Sequence, residues 1–394
     1  MAKLDIKSPL SKRAISIAPS LTLAITSKAK QMKADGIDVI SFGAGEPDFD
    51  TPEFIKQAAV KALNSGATKY TPAIGTLELR NAITKKLERE NGLQYTADQI
   101  VVSCGAKHSI HNVIQALVDA EDEVLIPAPY WLSYPEMVTL AGGKSVIIPT
   151  TDEESFKITA DKLKQYITPK SKVLILNSPS NPTGAVYSKE ELQAIGEVVK
   201  KHGIFTISDE IYETLLYDGR EHYSFAKIDD EIKDLTITVN GHSKRFAMTG
   251  WRIGYVACRK DIAKAISGMQ SHTTSNPTSF AQAGALAALT ESDESGKKMF
   301  ESFSRRRDLI VKEIDSIEKM TYFKPQGAFY IFCNISQTGL TSLDFCDQIL
   351  TEQKVACVPG VAFGSDNHIR LSFAIADDKI VEGIKRIRQF IESR

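Results

Sequence analysis

Between about residues 97 and 241 the chain alternates short unbroken apolar runs with longer stretches whose apolar positions recur every three or four residues. The runs QIVVSCG, DEVLIP, KSVIIP, KSKVLILN, GIFTISD and DLTITVN are rich in Val, Ile and Leu. They predict strands buried on both faces. AKHSIHNVIQALV and PYWLSYPEMVTLAG carry helical spacing, and the helix after SNPTG opens on a capping box, Ser188 with Glu191. This alternation predicts an α/β chain with a mostly parallel sheet and helices on both faces. Ligands of such sheets bind beyond the carboxyl ends of the strands. Gly105, Asn181, Asp209 and Lys244 all fall at those ends.

The flanks read differently. Residues 20–35 have helical spacing and stop at Gly36; IDVISFGAGEPDFDTP is a short strand leaving through a turn in which Gly43 and Gly45 let the backbone approach a ligand or another chain. Thr51 and Pro52 read as N-cap and first-turn proline of a helix that buries Phe54, Ile55, Ala58, Ala59, Ala62 and Leu63. Tyr70 sits in a loop leading to the next helix. After about residue 290 a long charged helix appears, whose run Arg305, Arg306, Arg307 reads as a solvated face. Two strands, GAFYIFCNI and HIRLSFAI, and a closing helix follow. The expected organisation is a large domain over 51–290 and a smaller α+β domain made of 1–50 and 291–394.

Bulk properties narrow the classes. The 394 residues exceed what one core usually serves. A formal charge of -1 and a pI near 6.7 argue against nucleic-acid or anionic-membrane partners. No apolar run reaches the roughly 18 residues of a membrane span, and the first residues lack a secretory pattern. The five cysteines form no CxxC pair, which fits reduced thiols in the cytoplasm; Cys104 reads as packing, and no metal site is expected.

The densest chemistry is NGHSKRFAMTGWRIGYV, Asn240 to Val256. A lysine whose amine is partly buried near a cation spends time uncharged and can condense with an aldehyde. An arginine eight residues on can clamp a phosphate. Lys244 and Arg252 together suit pyridoxal 5′-phosphate, which carries both groups.

In combination and in order, SNPTG, SDEIY, SKRFAMTGWRIGY and RLSFA resemble the class I/II aminotransferases of the fold-type I pyridoxal-phosphate enzymes. GEPDFDTP and PYWLSYPEM place the resemblance nearest the bacterial aspartate aminotransferase subgroup. The resemblance implies that Asp209 lies under the ring nitrogen and keeps it protonated. Tyr212 and Asn181 would bond the phenolic oxygen, and Trp131 would stack on the ring. It implies a phosphate cup of Gly105, Ala106, Ser243 and Arg252, with Tyr70 reaching over from the partner of a homodimer. Arg370 would hold the substrate α-carboxylate, helped by Gly45 and Asn181, and Lys244 would carry the imine and then shuttle the proton. A cis bond at Asn181-Pro182 is a further implied feature. Gly241 departs from the pattern, since many relatives have serine there.

For the side-chain pocket, Ser271 stands near where another subgroup has an arginine, whereas Lys107 matches the lysine that reads a distal carboxylate in the bacterial subgroup. Aspartate and glutamate are therefore the expected donors. Ala18 stands where prephenate-using relatives have a cation, which leans against prephenate. The same cofactor residues would serve an aromatic, alanine or prephenate aminotransferase or a carbon–sulfur lyase. A non-catalytic pyridoxal-phosphate sensor is the remote alternative, and no GxGxxG supports a dehydrogenase.

Overall fold

A computed structural model of the chain describes residues 10–17, 21–292 and 294–394; Ala18 lies outside them. The helix Leu21–Ala34 gives way at Gly36 to the short strand β1 (Ile40–Ser41). The main sheet follows: β2 (Ile100–Ser103), β3 (Glu123–Ala128), β4 (Lys144–Pro149), β5 (Ser171–Asn177), β6 (Phe205–Asp209), β7 (Thr236–Gly241) and β8 (Gly254–Ala257). Its spatial order is β2-β8-β7-β6-β5-β3-β4. Five neighbouring strands, β4, β3, β5, β6 and β7, run parallel, and β8 is antiparallel to both its neighbours. The expected mostly parallel sheet is present, and the antiparallel β8 is the strand that sequence periodicity did not single out.

The reason these runs become central strands is burial on both faces. Val173, Leu174, Ile175 and Leu176 of β5 are all buried, as are Ile207 on β6 and Ile237 and Val239 on β7. Each such side chain contributes about 1.5–3 kcal/mol by leaving water. Helices cover the sheet by the same logic. Helix Lys189–His202 is opened by the capping box of Ser188 and Glu191, buries Leu192, Ile195, Val198 and Val199, and stops where Gly203 takes a positive φ.

The smaller part is built on β9 (Thr321–Phe323), β10 (Tyr330–Asn334), β11 (Val355–Ala356), β12 (Val358–Pro359) and β13 (His368–Ser372). Strands β12-β13-β10-β9 form an antiparallel sheet, and β1 pairs in parallel with β11. Helices Ser295–Ile314 and Asp377–Glu392 pack beside it around Phe303, Phe329, Phe345 and Phe390.

Three local expectations are corrected here. Arg306 and Arg307 are buried: Arg307 pairs with Asp218 at 2.7 Å, and Arg306 with Asp48 at 2.7 Å and Asp377 at 3.2 Å. Helical spacing puts them on the same stripe as Phe303 and Ile310, so only Arg305 is left on the outer face. Thr51 does not cap its helix; its hydroxyl donates to the Ala247 carbonyl at 2.8 Å and accepts from Trp251 Nε1 at 3.0 Å. Leu63, expected in the core, is 45% exposed.

Candidate functional site

The site lies at the carboxyl edge of the sheet, where β2, β5, β6 and β7 end and β8 begins. Antiparallel β8 brings Gly254 against the start of the helix Ala106–Leu117. A Cβ on Gly254 would stand 2.2 Å from the Ala106 nitrogen, so only glycine admits this approach. Gly105, at φ 86°, turns the chain from β2 into that helix. Its own amide points back to the Ser103 carbonyl at 2.7 Å, which differs from the expectation that Gly105 and Ala106 would share the anion. Among the described residues, the amides left without an acceptor are those of Ala106 and Lys107, in the first turn of a helix whose dipole end is positive.

Arg252 completes this cradle. Its φ of 57° swings the side chain back so that Nη1 donates to the Thr249 carbonyl at 2.8 Å and Nη2 to the Cys104 carbonyl at 3.3 Å. The guanidinium lies so close to Gly105 that a Cβ there would be 2.5 Å from Nη2. Lys107 Nζ sits over the Trp131 ring, 4.9 Å from its centroid, and burial and Arg252 pull its ammonium pKa down.

Lys244 follows β7 by three residues. Its Nζ donates to the Gly45 carbonyl, which the turn after β1 carries across, and it faces the rings of Tyr212 and Phe329 at 5.8 and 5.7 Å. Burial lowers its pKa to about 8; Arg370 and Arg252 add to the fall, against Glu46 and Asp209. The amine is thus partly uncharged near neutral pH. Ser243, buried, directly precedes it.

Asp209 ends β6. It accepts from the Tyr134 hydroxyl at 2.6 Å and the Ile211 amide at 3.3 Å, and burial pushes its pKa up to about 6. These donors are neutral, so the carboxylate has no cation bonded to it among the described residues. Tyr212, on the same side of the turn, shares a 2.9 Å hydrogen bond with the hydroxyl of Tyr330.

Arg370, on β13, crosses from the smaller part. It donates to Asn181 Oδ1 at 2.9 Å and the Gly43 carbonyl at 3.2 Å, with its plane over the Tyr330 ring at 4.4 Å. It is 2% exposed, its Nε has no partner, and burial lowers its pKa. Asn181 is held in turn by Asn177, whose Oδ1 accepts from the Asn181 amide at 2.8 Å while its Nδ2 donates to the Asp209 carbonyl at 3.0 Å. The Asn181-Pro182 bond is cis, as are Ala128-Pro129 and Ser178-Pro179.

Lys244, Asp209, Tyr212, Asn181, Arg370, Gly45, Gly105, Ala106, Lys107, Trp131, Ser243 and Arg252 are therefore gathered at one edge. Tyr70 is apart: it is 89% exposed, and its hydroxyl has no partner among the described residues of its own chain. Sequence reasoning missed Tyr134, Tyr330 and Asn177. Tyr134 had a signal, since it lies three residues after Trp131 at the start of a helix; the two rings meet edge to face at 5.3 Å.

Also missed was the layer behind the turn. Glu210 and Glu213 alternate with Asp209 and Tyr212 and point the other way. Glu210 accepts from Ser208 and Ser224 and lies 2.9 Å from His222, while Glu213 is held by Lys86 and Asn91. Glu210, Glu213 and His222 have cation-ligating atoms within 4.8 Å of one another, yet the Lys86 ammonium already sits against Glu213.

Chemically, the pocket holds a buried amine of lowered pKa and, among the described residues, a buried carboxylate lacking a cation and three cations lacking a carboxylate, Arg252, Arg370 and Lys107. Such a set accepts a ligand with three anionic groups.

The model of a family described as aminotransferase class I and II matches residues 37–387. The chain is 49% identical to the protein named aspartate aminotransferase of Bacillus subtilis, over 97% of this chain and 99% of that one. It is 47% identical to the probable aspartate/prephenate aminotransferase of Aquifex aeolicus, over 97% and 98% of the two chains. Among solved structures, aspartate aminotransferase from Thermus thermophilus with maleate superposes with a TM-score of 0.94 at 41% identity, covering 97% of this chain and 100% of that one.

Proposed function

The chain belongs to the class I and II aminotransferase family, and from that premise we propose that it moves the amino group of L-aspartate, or L-glutamate, to a 2-oxo acid with pyridoxal 5′-phosphate as cofactor. The observation that carries the dicarboxylic preference is the count of uncompensated cations. One phosphate and the two carboxylates of aspartate match Arg252, Arg370 and Lys107 one for one.

The residues fit the cofactor on physical grounds. Two free amides at a helix end and a guanidinium suit its phosphate. A buried carboxylate with only neutral donors suits a protonated ring nitrogen; that cation would supply what Asp209 lacks and bring its pKa back down. When bound, the cofactor supplies an aldehyde and a conjugated ring that draws electron density from the substrate.

Each residue then has a task. Asp209 stays ionised to hold a proton on the ring nitrogen, and Tyr134 fixes the carboxylate's direction. Tyr212 and Asn181 would donate toward the ring's phenolic oxygen, and Trp131 would hold the ring. Arg370 grips the α-carboxylate with its planar fork, helped by Asn181 and the Gly45 backbone, and Lys107 takes the distal carboxylate. With the cofactor in place, Lys244 Nζ would take the proton from the substrate α-carbon and hand the same proton to the neighbouring carbon of the cofactor. Its pKa near 8 suits both directions of transfer.

Nitrogen arrives with one substrate and leaves with the next, a ping-pong sequence. The reading includes a homodimer in which Tyr70 reaches the partner's phosphate cup. It divides the chain into a cofactor-binding unit over 51–290 and a smaller unit of 1–50 and 291–394.

The test is a substrate panel on wild type and Lys107→Ala. L-aspartate should shift the visible band of the cofactor-loaded wild type, and the variant should lose about tenfold or more in kcat/KM for aspartate while alanine is little affected. Unchanged aspartate kinetics would sink the assignment of Lys107.

A further inference from the structure

Two fully buried glutamines fasten the loop that carries Tyr70. Gln282, on helix Ser279–Thr290, accepts from the Thr76 amide at 2.8 Å and donates to Thr71 Oγ1 at 3.1 Å and the Pro277 carbonyl at 2.8 Å. Gln270, on helix Lys260–Ser271, is 0% exposed and uses its amide in four directions. Its Nε2 donates to the Ala73 carbonyl at 2.6 Å and the Val102 carbonyl at 2.8 Å, and its Oε1 accepts from Ser103 Oγ at 2.6 Å and Asn112 Nδ2 at 3.0 Å.

The partners of Gln270 fall into two groups. Val102 and Ser103 end the strand that runs into Gly105, and Asn112 lies on the helix whose first turn offers the free amides. Ala73 belongs to the loop of Tyr70, which is also stitched to β2 by the Val102 amide on the Ile74 carbonyl at 3.0 Å. The loop is thus pinned from two helices and one strand, yet the ring at its tip is 89% exposed. Leu77 at 53% and Phe280 at 37% are exposed nearby in the chain or on the helix that pins the loop. A loop so tightly held, ending in a bare aromatic, is built to present that ring to something outside the subunit.

We propose that Gln270 is a positioning residue that ties each subunit's own phosphate cup to the loop presenting Tyr70 to the cup of the second copy. The proposal rests on the homodimer reading above. One side chain then sets two anion sites at once: Oε1 braces the strand and helix that frame the cup of its own subunit, and Nε2 sets where the neighbour's hydroxyl donor stands. Any shift of the cup strand moves the Ala73 carbonyl with it. The two sites of a dimer are mechanically linked through this amide.

Gln270→Glu keeps both acceptor bonds, to Ser103 and Asn112, but its carboxylate cannot donate to the Ala73 carbonyl of the loop or to the Val102 carbonyl of the strand. The test uses hybrid dimers in which one subunit carries Lys244→Ala and so lacks the amine that gives the visible absorbance. The substitution under test is placed in that silent subunit, and pyridoxal phosphate is titrated into the live, otherwise wild-type site of its partner. Tyr70→Phe in the silent subunit should weaken cofactor binding at the live site by about tenfold, as expected for one hydrogen bond to a charged group. Gln270→Glu in the silent subunit should weaken it by a similar factor, a reach across the interface that a packing role inside one subunit does not produce. Gln270→Met repeats the measurement should the buried carboxylate prevent assembly. If Tyr70→Phe weakens the live site and neither Gln270 variant does, the proposal is overturned and the homodimer reading stands. If Tyr70→Phe has no effect, that part of the reading fails and the proposal falls with it.

Discussion

Acid should destabilise this protein through His242, two residues before the reactive lysine. The ring is 1% exposed, stacks on Phe246 at 5.8 Å and meets Tyr255 edge-on at 6.3 Å. Neither ring nitrogen has a hydrogen-bond partner of good geometry. Burial pushes its pKa from 6.5 down to about 3, with the backbone of Ala285 acting the other way. The folded value lies below the unfolded one, so this contribution is intact above pH 6.5 and is lost as pH falls toward 3. At about 1.36 kcal/mol per unit the whole window is worth roughly 5 kcal/mol, of which about 2 kcal/mol is gone by pH 5.

Two other groups act with the opposite sign. Asp209, raised to about 6, and His222, whose pKa is raised by the Glu210 carboxylate against the cost of its burial, both gain stability as pH falls. The wild-type profile therefore mixes terms, but the difference between wild type and His242→Phe isolates one. Any packing cost of the larger ring is the same at both pH values and cancels. Urea unfolding at pH 7 and pH 5, at fixed protein and cofactor concentration, should show the variant gaining about 2 kcal/mol on wild type at the lower pH. Parallel losses in the two proteins would refute the assignment of a neutral, buried imidazole.

Removing the Tyr134 hydroxyl (Tyr134→Phe) leaves Asp209 with the Ile211 amide alone, so its pKa rises further and cofactor affinity should drop about tenfold, measured by titrating the apoenzyme; unchanged affinity counts against the role given to Asp209. Arg370→Met should lower kcat/KM for aspartate by about a hundredfold or more while leaving the apoenzyme's Tm unchanged or higher, because a buried cation without an anion has been removed. A clear fall in that Tm would show that Arg370 serves the fold rather than the substrate. Gly241→Ser should destabilise by about 1–3 kcal/mol, since its Cβ would lie 3.0 Å from Gly254 Cα and 3.1 Å from the Ile253 carbonyl. Tighter cofactor binding without loss of stability would contradict that packing argument.

Much of the site could be read along the chain because its residues mark the ends of strongly patterned strands. Asp209 closes GIFTISD, Gly105 closes QIVVSCG, and Lys244 follows DLTITVN, so burial of the strands puts them on one edge. Arg370 was legible through its motif, and its isolation from any carboxylate became visible only when β13 was packed against the SNPTG turn. What stayed hidden were residues whose meaning lies in a distant partner. Tyr134 looks like a core aromatic until Asp209 is beside it, and Gln270 looks like any helix glutamine until Ala73 and Ser103 surround it. Arg306 and Arg307 misled for the same reason: a run of cations looks solvated until Asp48, Asp218 and Asp377 arrive from elsewhere.

The chain by itself determined which segments become buried strands and capped helices, because those depend on spacing of apolar side chains and on residues a few positions apart. It also determined the chemical types at the strand ends. Tertiary structure alone decided which charges are compensated. Ion pairing and desolvation depend on groups far apart along the chain, and the compensation they leave is uneven: Arg306 and Arg307 are paired with carboxylates, whereas Arg252, Arg370 and Lys107 meet none among the described residues.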